Sequence, residues 1–213
     1  MPRVRVHQHV NPLAPYYRFT PKPIKIAEYF ADPELPLFLD IGCARGRFIL
    51  KMAEVDKTQN FLGVEIREPL VEEANRLARE KNLANLHYEF CNAMFALDKL
   101  LEILPENILQ TVTIQFPDPW FKKKHSKRRM VNQALVETVM RHLANSGKIF
   151  VQTDIEFLAD EMFELFRVDE NLREIEIAEN PFLVKTERET AVEEKDLPIY
   201  RKIFEKNEKK SVK

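Results

Sequence analysis

Residues 37 to 46 read Leu-Phe-Leu-Asp-Ile-Gly-Cys-Ala-Arg-Gly, and this decapeptide decides the fold. Leu37 to Ile41 is an apolar run broken only by Asp40, the pattern of a strand buried on both faces of a parallel sheet. Two of the chain's four glycines, Gly42 and Gly46, follow in a five-residue turn, where backbone must approach a ligand or adopt positive φ. A helix then runs to about Glu54. Strand, glycine turn and helix open a sheet whose ligands bind beyond the carboxyl ends of its strands.

Outward from this unit, short apolar runs alternate with amphipathic segments, as in a parallel sheet wrapped by helices. Asn60 to Ile66, Leu86 to Cys91, Ile108 to Phe116 and Lys148 to Thr153 read as the second to fifth strands. The helix after the second strand has Pro69 in its first turn and Leu70, Val71, Ala74, Leu77 and Ala78 on one face. Val131, Leu135, Val139 and Leu143 recur at helical spacing until Asn145-Ser146-Gly147 ends the helix. Asp154 opens another, with Ile155, Leu158, Met162, Leu165 and Phe166 toward the sheet. Leu172 to Ala178 alternates like a strand, 180 to 198 is a polar loop, and Ile199 to Phe204 returns to the sheet edge.

The chain divides into a Pro-rich basic arm at 1–36, one domain at 37–204 and a charged tail at 205–213. The arm holds seven of the thirteen prolines, with Arg3, Arg5, His7 and His9, and reads as extended and partly mobile. No apolar run is long enough for a membrane span or signal peptide, so a cytoplasmic protein is expected. Two cysteines, Cys43 and Cys91, make neither a disulfide framework nor a zinc site, and no metal is expected.

Charge is concentrated in one place. Residues 116 to 129, Phe-Pro-Asp-Pro-Trp-Phe-Lys-Lys-Lys-His-Ser-Lys-Arg-Arg, hold six cations and one acid, in a chain of net charge −1. So dense a cluster calls for a polyanion, and phosphate is the natural partner. Pro117 and Pro119 restrict Asp118 between them, as suits a carboxylate aimed at one atom.

The glycine turn discriminates between cofactors. Ala44 takes the second glycine position of a dinucleotide fingerprint and no third glycine follows, while no Gly-Lys-Ser/Thr ends the turn as in a P-loop. Asp40 would repel phosphate but can accept from an ammonium group. Glu65 ends the second strand and suits a ribose diol, and Asn92, with the Ala93 N–H, could read an adenine edge. S-adenosylmethionine has these groups and no phosphate. Each of these polar residues has an alternative as a helix cap.

These motifs resemble those of the bacterial tRNA (guanine-N7-)-methyltransferases over nearly the whole chain. The resemblance rests on Asp40 to Gly46, Gly-Val-Glu-Ile-Arg at 63 to 67, Asn92-Ala93, Phe-Pro-Asp-Pro-Trp with the basic block, Thr153-Asp154, and Thr-x-x-Glu at 186 to 189. It implies a class I methyltransferase fold, a Rossmann-like, seven-stranded, mostly parallel α/β sheet flanked by helices. It also implies transfer of a methyl group from S-adenosylmethionine to N7 of a variable-loop guanosine (position 46) in tRNA. Asp40, Gly42, Gly46, Glu65, Asn92, Ala93 and Asp118 would contact the cofactor, and Asp118 would be the catalytic residue. Lys122, Asp154, Thr186 and Glu189 would hold the guanosine, and Lys124, His125, Lys127, Arg128 and Arg129 the RNA backbone. The partner is tRNA, with a monomer or homodimer and no obligate protein partner expected. The chain departs from the family at Ala44, where glycine is common, and at Arg188, where an aromatic is common.

Guanine N7 carries an in-plane lone pair and no proton, so no general base is needed to create the nucleophile. The purine turns cationic as the methyl arrives. A carboxylate on its N1–H and N2–H₂ edge is attracted more strongly in the transition state, and Asp118, Asp154 and Glu189 are the candidates. A turn residue for Asp118, an N-cap role for Asp154 and a capping box for Thr186 with Glu189 are the alternatives.

Overall fold

The structure, a computed structural model, describes residues 9–208. The sheet begins with β1, Leu37–Ile41, whose five residues are all buried. In chain order follow α2 at Arg47–Val55, β2 at Asn60–Glu65, α3 at Glu68–Glu80, β3 at Leu86–Phe90, α4 at Ala93–Leu101 and β4 at Leu109–Gln115; a single turn, α1, at Ile26–Tyr29 precedes them all. After the basic loop come α5 at Gln133–His142, β5 at Leu143–Thr153, α6 at Glu156–Arg167, β6 at Leu172–Glu176, α7 at Glu187–Glu193 and β7 at Tyr200–Lys206.

The seven strands lie in the order β3-β2-β1-β4-β5-β7-β6. The first five pair in parallel, and β7 runs antiparallel to both β5 and β6. The expected seven-stranded, mostly parallel sheet is therefore present. From β1 the chain builds outward to β2 and β3 and then returns to place β4 on the other side. The strand order thus reverses between β1 and β4, and a crevice opens there. Each sheet face has its own apolar layer: Phe48, Ile49 and Met52 of α2 with Ala74 of α3 on one side, and Leu97, Leu135, Val139, Leu158 and Phe166 of α4, α5 and α6 on the other.

Four differences from the sequence reading have physical causes. The helix expected to reach Asn145 ends at His142, because Leu143 leaves helical geometry (ψ 133°) and pairs with Leu109. Leu143 is buried either way, so spacing could not separate the two outcomes. Ser146 at φ +58° then lets the strand jump register, from Leu109↔Leu143 to Thr111↔Lys148. Asp154 does not cap α6, which starts two residues later with Ile155 at its N-cap.

The polar stretch 180–198 contains α7, which buries only Glu189 and Val192 and so shows little apolar periodicity. The last strand does not return to the edge. It inserts between β5 and β6, and it includes Glu205 and Lys206, which the reading had placed in the tail. Lys206 donates to the carbonyls of Met140 and Leu143 at 2.7 and 2.6 Å, which ties this end to the C-terminus of α5.

The N-terminal segment from residue 9 is packed rather than loose. Ile24, Ile26 and Phe30 are buried in the core, and the N–H groups of Ile24 and Ala31 donate to Leu100 and Ala84. Arg3, Arg5, His7 and residues 209–213 lie outside the described residues. Among the described residues no helix is long and apolar enough to cross a membrane.

Candidate active site

A cavity of about 1440 Å³ occupies the crevice between β1 and β4. Its lining comes from Asp40 and Gly42 at the end of β1, Glu65 at the end of β2, Asn92 and Ala93 after β3, and Gln115 to Phe121 at and beyond the end of β4, with Asp154, Thr186 and Arg188 also contributing. The turn under it has Gly42 at φ +77°, Ala44 at +53° and Gly46 at +67°. The two glycines serve different ends. A Cβ on Gly42 would meet only the tip of Met130 at 3.5 Å, so dihedral angle alone selects glycine there, whereas a Cβ on Gly46 would lie 2.3 Å from the Tyr88 ring. Gly46 packs against the sheet, its carbonyl accepting from the Tyr88 hydroxyl at 2.7 Å. Ala44 bears a side chain in the left-handed region, at a cost of about 1–2 kcal/mol. Its N–H is held by Glu65 Oε2 at 2.9 Å.

The three strand-end polar residues meet in this cavity, each with protein partners. Asp40 is 4% exposed and accepts from the Thr113 hydroxyl at 2.7 Å. Burial outweighs the opposing influence of Thr113 and of the Gln115 amide and pushes its carboxyl up to about 6. Glu65 accepts from the Arg67 N–H at 3.0 Å and from its guanidinium at 2.9 Å, and so clamps the glycine turn to the start of α3. Asn92 caps α4 through the Met94 N–H, while its own amide donates to the carbonyls of Pro12 at 2.9 Å and Tyr17 at 3.2 Å. Those two bonds hold the N-terminal segment over the cavity. Burial pushes the Cys43 thiol well above its usual range and that of Cys91 up to about 12, so neither is a thiolate at neutral pH.

The Pro117-Asp118-Pro119 turn is bracketed by Phe116 at φ +50° and Trp120 at φ +45°, two non-glycine residues in left-handed geometry. Strain of this kind persists where surroundings over-determine it. Here Arg129 supplies part of the restraint, donating to the Pro119 carbonyl at 2.9 Å and pairing with Glu161. Asp118 itself is half exposed and contacts His9 Nδ1 at 2.7 Å. Asp118 lines the cavity, and its charge also acts on the nearby Arg67 guanidinium.

Beyond the turn, Lys123–Arg128 forms a 3₁₀ helix. Lys122, Lys123, Lys124 and Lys127 are exposed, and among the described residues none of them pairs with a carboxylate. Arg128 lies over the Trp120 ring at 4.9 Å, and His125 meets the same ring edge-on at 5.7 Å. Slight desolvation and the neighbouring Arg128, Lys124 and Lys122 charges hold the His125 imidazole below its usual range. The block is thus split: lysines face outward, while Arg129 turns inward to support the turn.

The 186 to 189 segment is split in the same way. Thr186 and Arg188 face the cavity, and Arg188 pairs with Asp154. Thr186 caps α7 through the Glu189 N–H at 3.0 Å. The Glu189 carboxylate is 0% exposed and bonded to Arg201, Asn180 and Gln152, so it anchors α7 to the sheet away from the cavity. Among the cavity residues to which the sequence gives no separate role are His9, in a segment with no periodicity, Arg67, the last residue of the 63 to 67 motif, and Gln115, near the end of an apolar run. Gln115 Nε2 is buried beside Asp40, whose charged form it favours.

Reversed strand order, glycine turn and acids at successive strand ends define the class I methyltransferase fold. Solved structures agree: the YcgJ protein from Bacillus subtilis superposes with a TM-score of 0.55 at 16% identity, over 86% of this chain and 97% of that one. A geranyl diphosphate C-methyltransferase from Streptomyces coelicolor, solved with S-adenosyl-L-homocysteine, gives 0.54 at 14% identity, over 86% and 77%. Residues 34–202 match a family model described as "Putative methyltransferase". The tRNA (guanine-N(7)-)-methyltransferase of Trichormus variabilis is 50% identical over 210 residues, 97% of this chain and 98% of its own. The chain belongs to the tRNA (guanine-N(7)-)-methyltransferase family.

Proposed function

We propose that this protein transfers the methyl group of S-adenosylmethionine to N7 of a variable-loop guanosine, position 46, in tRNA. The observation that carries this reading is one continuous cavity lined by the glycine turn, the buried acids and Asp118 together. Next to the cavity residue Phe121 come lysines that, among the described residues, have no carboxylate partner.

The polar groups fit the cofactor. Asp40, with the buried Gln115 amide beside it, accepts from an ammonium group. Glu65 takes the ribose hydroxyls in exchange for part of its hold on Arg67, and Asn92 with Ala93 borders the adenine. Bound there, S-adenosylmethionine supplies a methyl group on a sulfonium. Asp118 accepts from the guanine edge and gains attraction as the purine becomes cationic. Asp154, steadied by Arg188, stands across the cavity with Thr186 beside it, and Lys122 at the rim receives the nucleotide. Glu189 acts through the placement of α7.

The test is incubation with bulk tRNA and methyl-labelled S-adenosylmethionine, followed by nucleoside analysis. Label in 7-methylguanosine is the expected result. Label on an exocyclic amine, or tRNA binding without methylation, would overturn the reading.

The Asp40 carboxyl gives a second prediction. With its titration near 6 in the free protein, a proton competes with the cofactor's ammonium group at lower pH. Affinity for S-adenosylmethionine should therefore be steady above that value and fall by up to about ten-fold per pH unit below it. Calorimetry at about pH 5 to 8 measures this, and Asp40→Asn should bind more weakly with a flat profile over the same range.

A further inference from the structure

We infer that Phe121 is the stacking platform for the target guanine, a positioning residue whose ring face favours the purine as it acquires charge. The inference rests on the proposed tRNA methylation and adds to it the group that covers the base. An edge held by Asp118 fixes a guanine in its plane but leaves it free to tilt out of line with the methyl group. A base taken out of its stack therefore needs an aromatic or apolar surface against one face.

Four aromatic residues line the cavity, and they are not equivalent. Phe48 is buried in the core layer of α2, and Phe116 lies at the strained start of the turn. One face of Trp120 is covered by Arg128, and its edge is met by His125. Phe121 is different. It lines the cavity and is 68% exposed, so its ring surface is open to a ligand in the cavity.

Phe121 is also held. Its ring meets Phe157 at 5.9 Å with an interplanar angle of 63°, so an edge contact fixes its position and leaves ring surface open. Phe157 is in turn covered by the Arg129 guanidinium at 5.0 Å, and Arg129 is fastened to the Pro119 carbonyl. The restraint that sets Asp118 thus also sets Phe121, and both belong to one rigid unit. Flanking Lys122 and Lys123 supply cationic charge for the phosphates on either side of a base stacked there.

Electrostatics separates Phe121 from Arg188 as the stacking group. A guanidinium over a purine that is becoming cationic opposes the reaction, whereas the negative face of a phenyl ring favours it. Arg188 is moreover paired with Asp154. The ring should accordingly contribute to kcat as well as to tRNA affinity.

The test compares Phe121→Ala, Phe121→Leu, Phe121→Tyr and Phe121→Trp in steady-state methylation of tRNA by the full chain. Loss of one stacked base should lower kcat/KM by about ten-fold or more in the Ala variant, and Leu, which keeps apolar contact with Phe157 but has no ring, should not restore it. Tyr and Trp should remain within about three-fold of wild type by the same stacking argument. Melting temperature, S-adenosylmethionine affinity and the salt slope of tRNA binding should be unchanged in all four. Recovery by Leu would reduce Phe121 to an apolar spacer, and unaltered kcat/KM in the Ala variant would overturn the inference outright. A wild-type protein that fails to methylate tRNA would instead sink the proposed function, a separate outcome.

Discussion

Asp118→Ala is expected to lower kcat for tRNA methylation by at least about 100-fold, the scale on which removal of one preorganised electrostatic contact is felt. The fold should be unaffected, because the turn is fixed by two prolines and by Arg129 on the Pro119 carbonyl, and not by the Asp118 side chain, which is half exposed. Asp118→Asn is the sharper comparison. It keeps the shape and one acceptor but loses the charge that answers the developing cation, and should recover little of the rate. S-adenosylmethionine affinity measured in both variants separates loss of a cofactor contact by Asp118 from loss of its effect on the purine. Single-turnover kinetics separate the step from binding, and wild-type turnover in the Asn variant would remove charge stabilisation from the mechanism.

Replacing Lys123, Lys124 and Lys127 together by Ala should weaken tRNA binding and flatten its dependence on salt. Each phosphate contact contributes about 0.7 to 0.9 to the slope of log K against log salt, so loss of three should reduce it by roughly 2 to 2.7. Arg129 is left out deliberately: its guanidinium holds the Pro119 carbonyl and Glu161, and its removal would disturb Asp118 and Phe157 rather than report on RNA. Filter binding over a salt series measures the slope, with methyl-donor affinity as the control. An unchanged slope would mean that these ammonium groups face only solvent.

How much of this was legible in the sequence depended on whether a residue's role was set by its neighbours in the chain. β1 and the turn after it could be read because a buried strand and a glycine turn have local signatures, and Asp118 because two adjacent prolines constrain it. Asn92 could be read in either of two ways, and the geometry shows that it caps α4 while lining the cavity. Glu189 was legible as a motif but not in its direction. Only the antiparallel insertion of β7 brings Arg201 beside it and turns the carboxylate into the sheet. β7 itself was misplaced because an edge strand and an inserted one share a composition when one sheet face is polar. His9 meets Asp118 across 109 residues of chain, and no local pattern encodes such a meeting.

The Asn92 amide joins the beginning of the polypeptide to a strand end made much later. Pro12 leaves the ribosome eighty residues ahead of its hydrogen-bonding partner, so the nascent N-terminus must wait, undocked, until β3 and the first turn of α4 have been synthesised. The lid of the cavity is translated first and seated late. A nascent chain stalled before Asn92 would have the glycine turn and both strand-end acids but neither β4 nor the turn after it, so the cavity itself would form only as the later strands join the sheet.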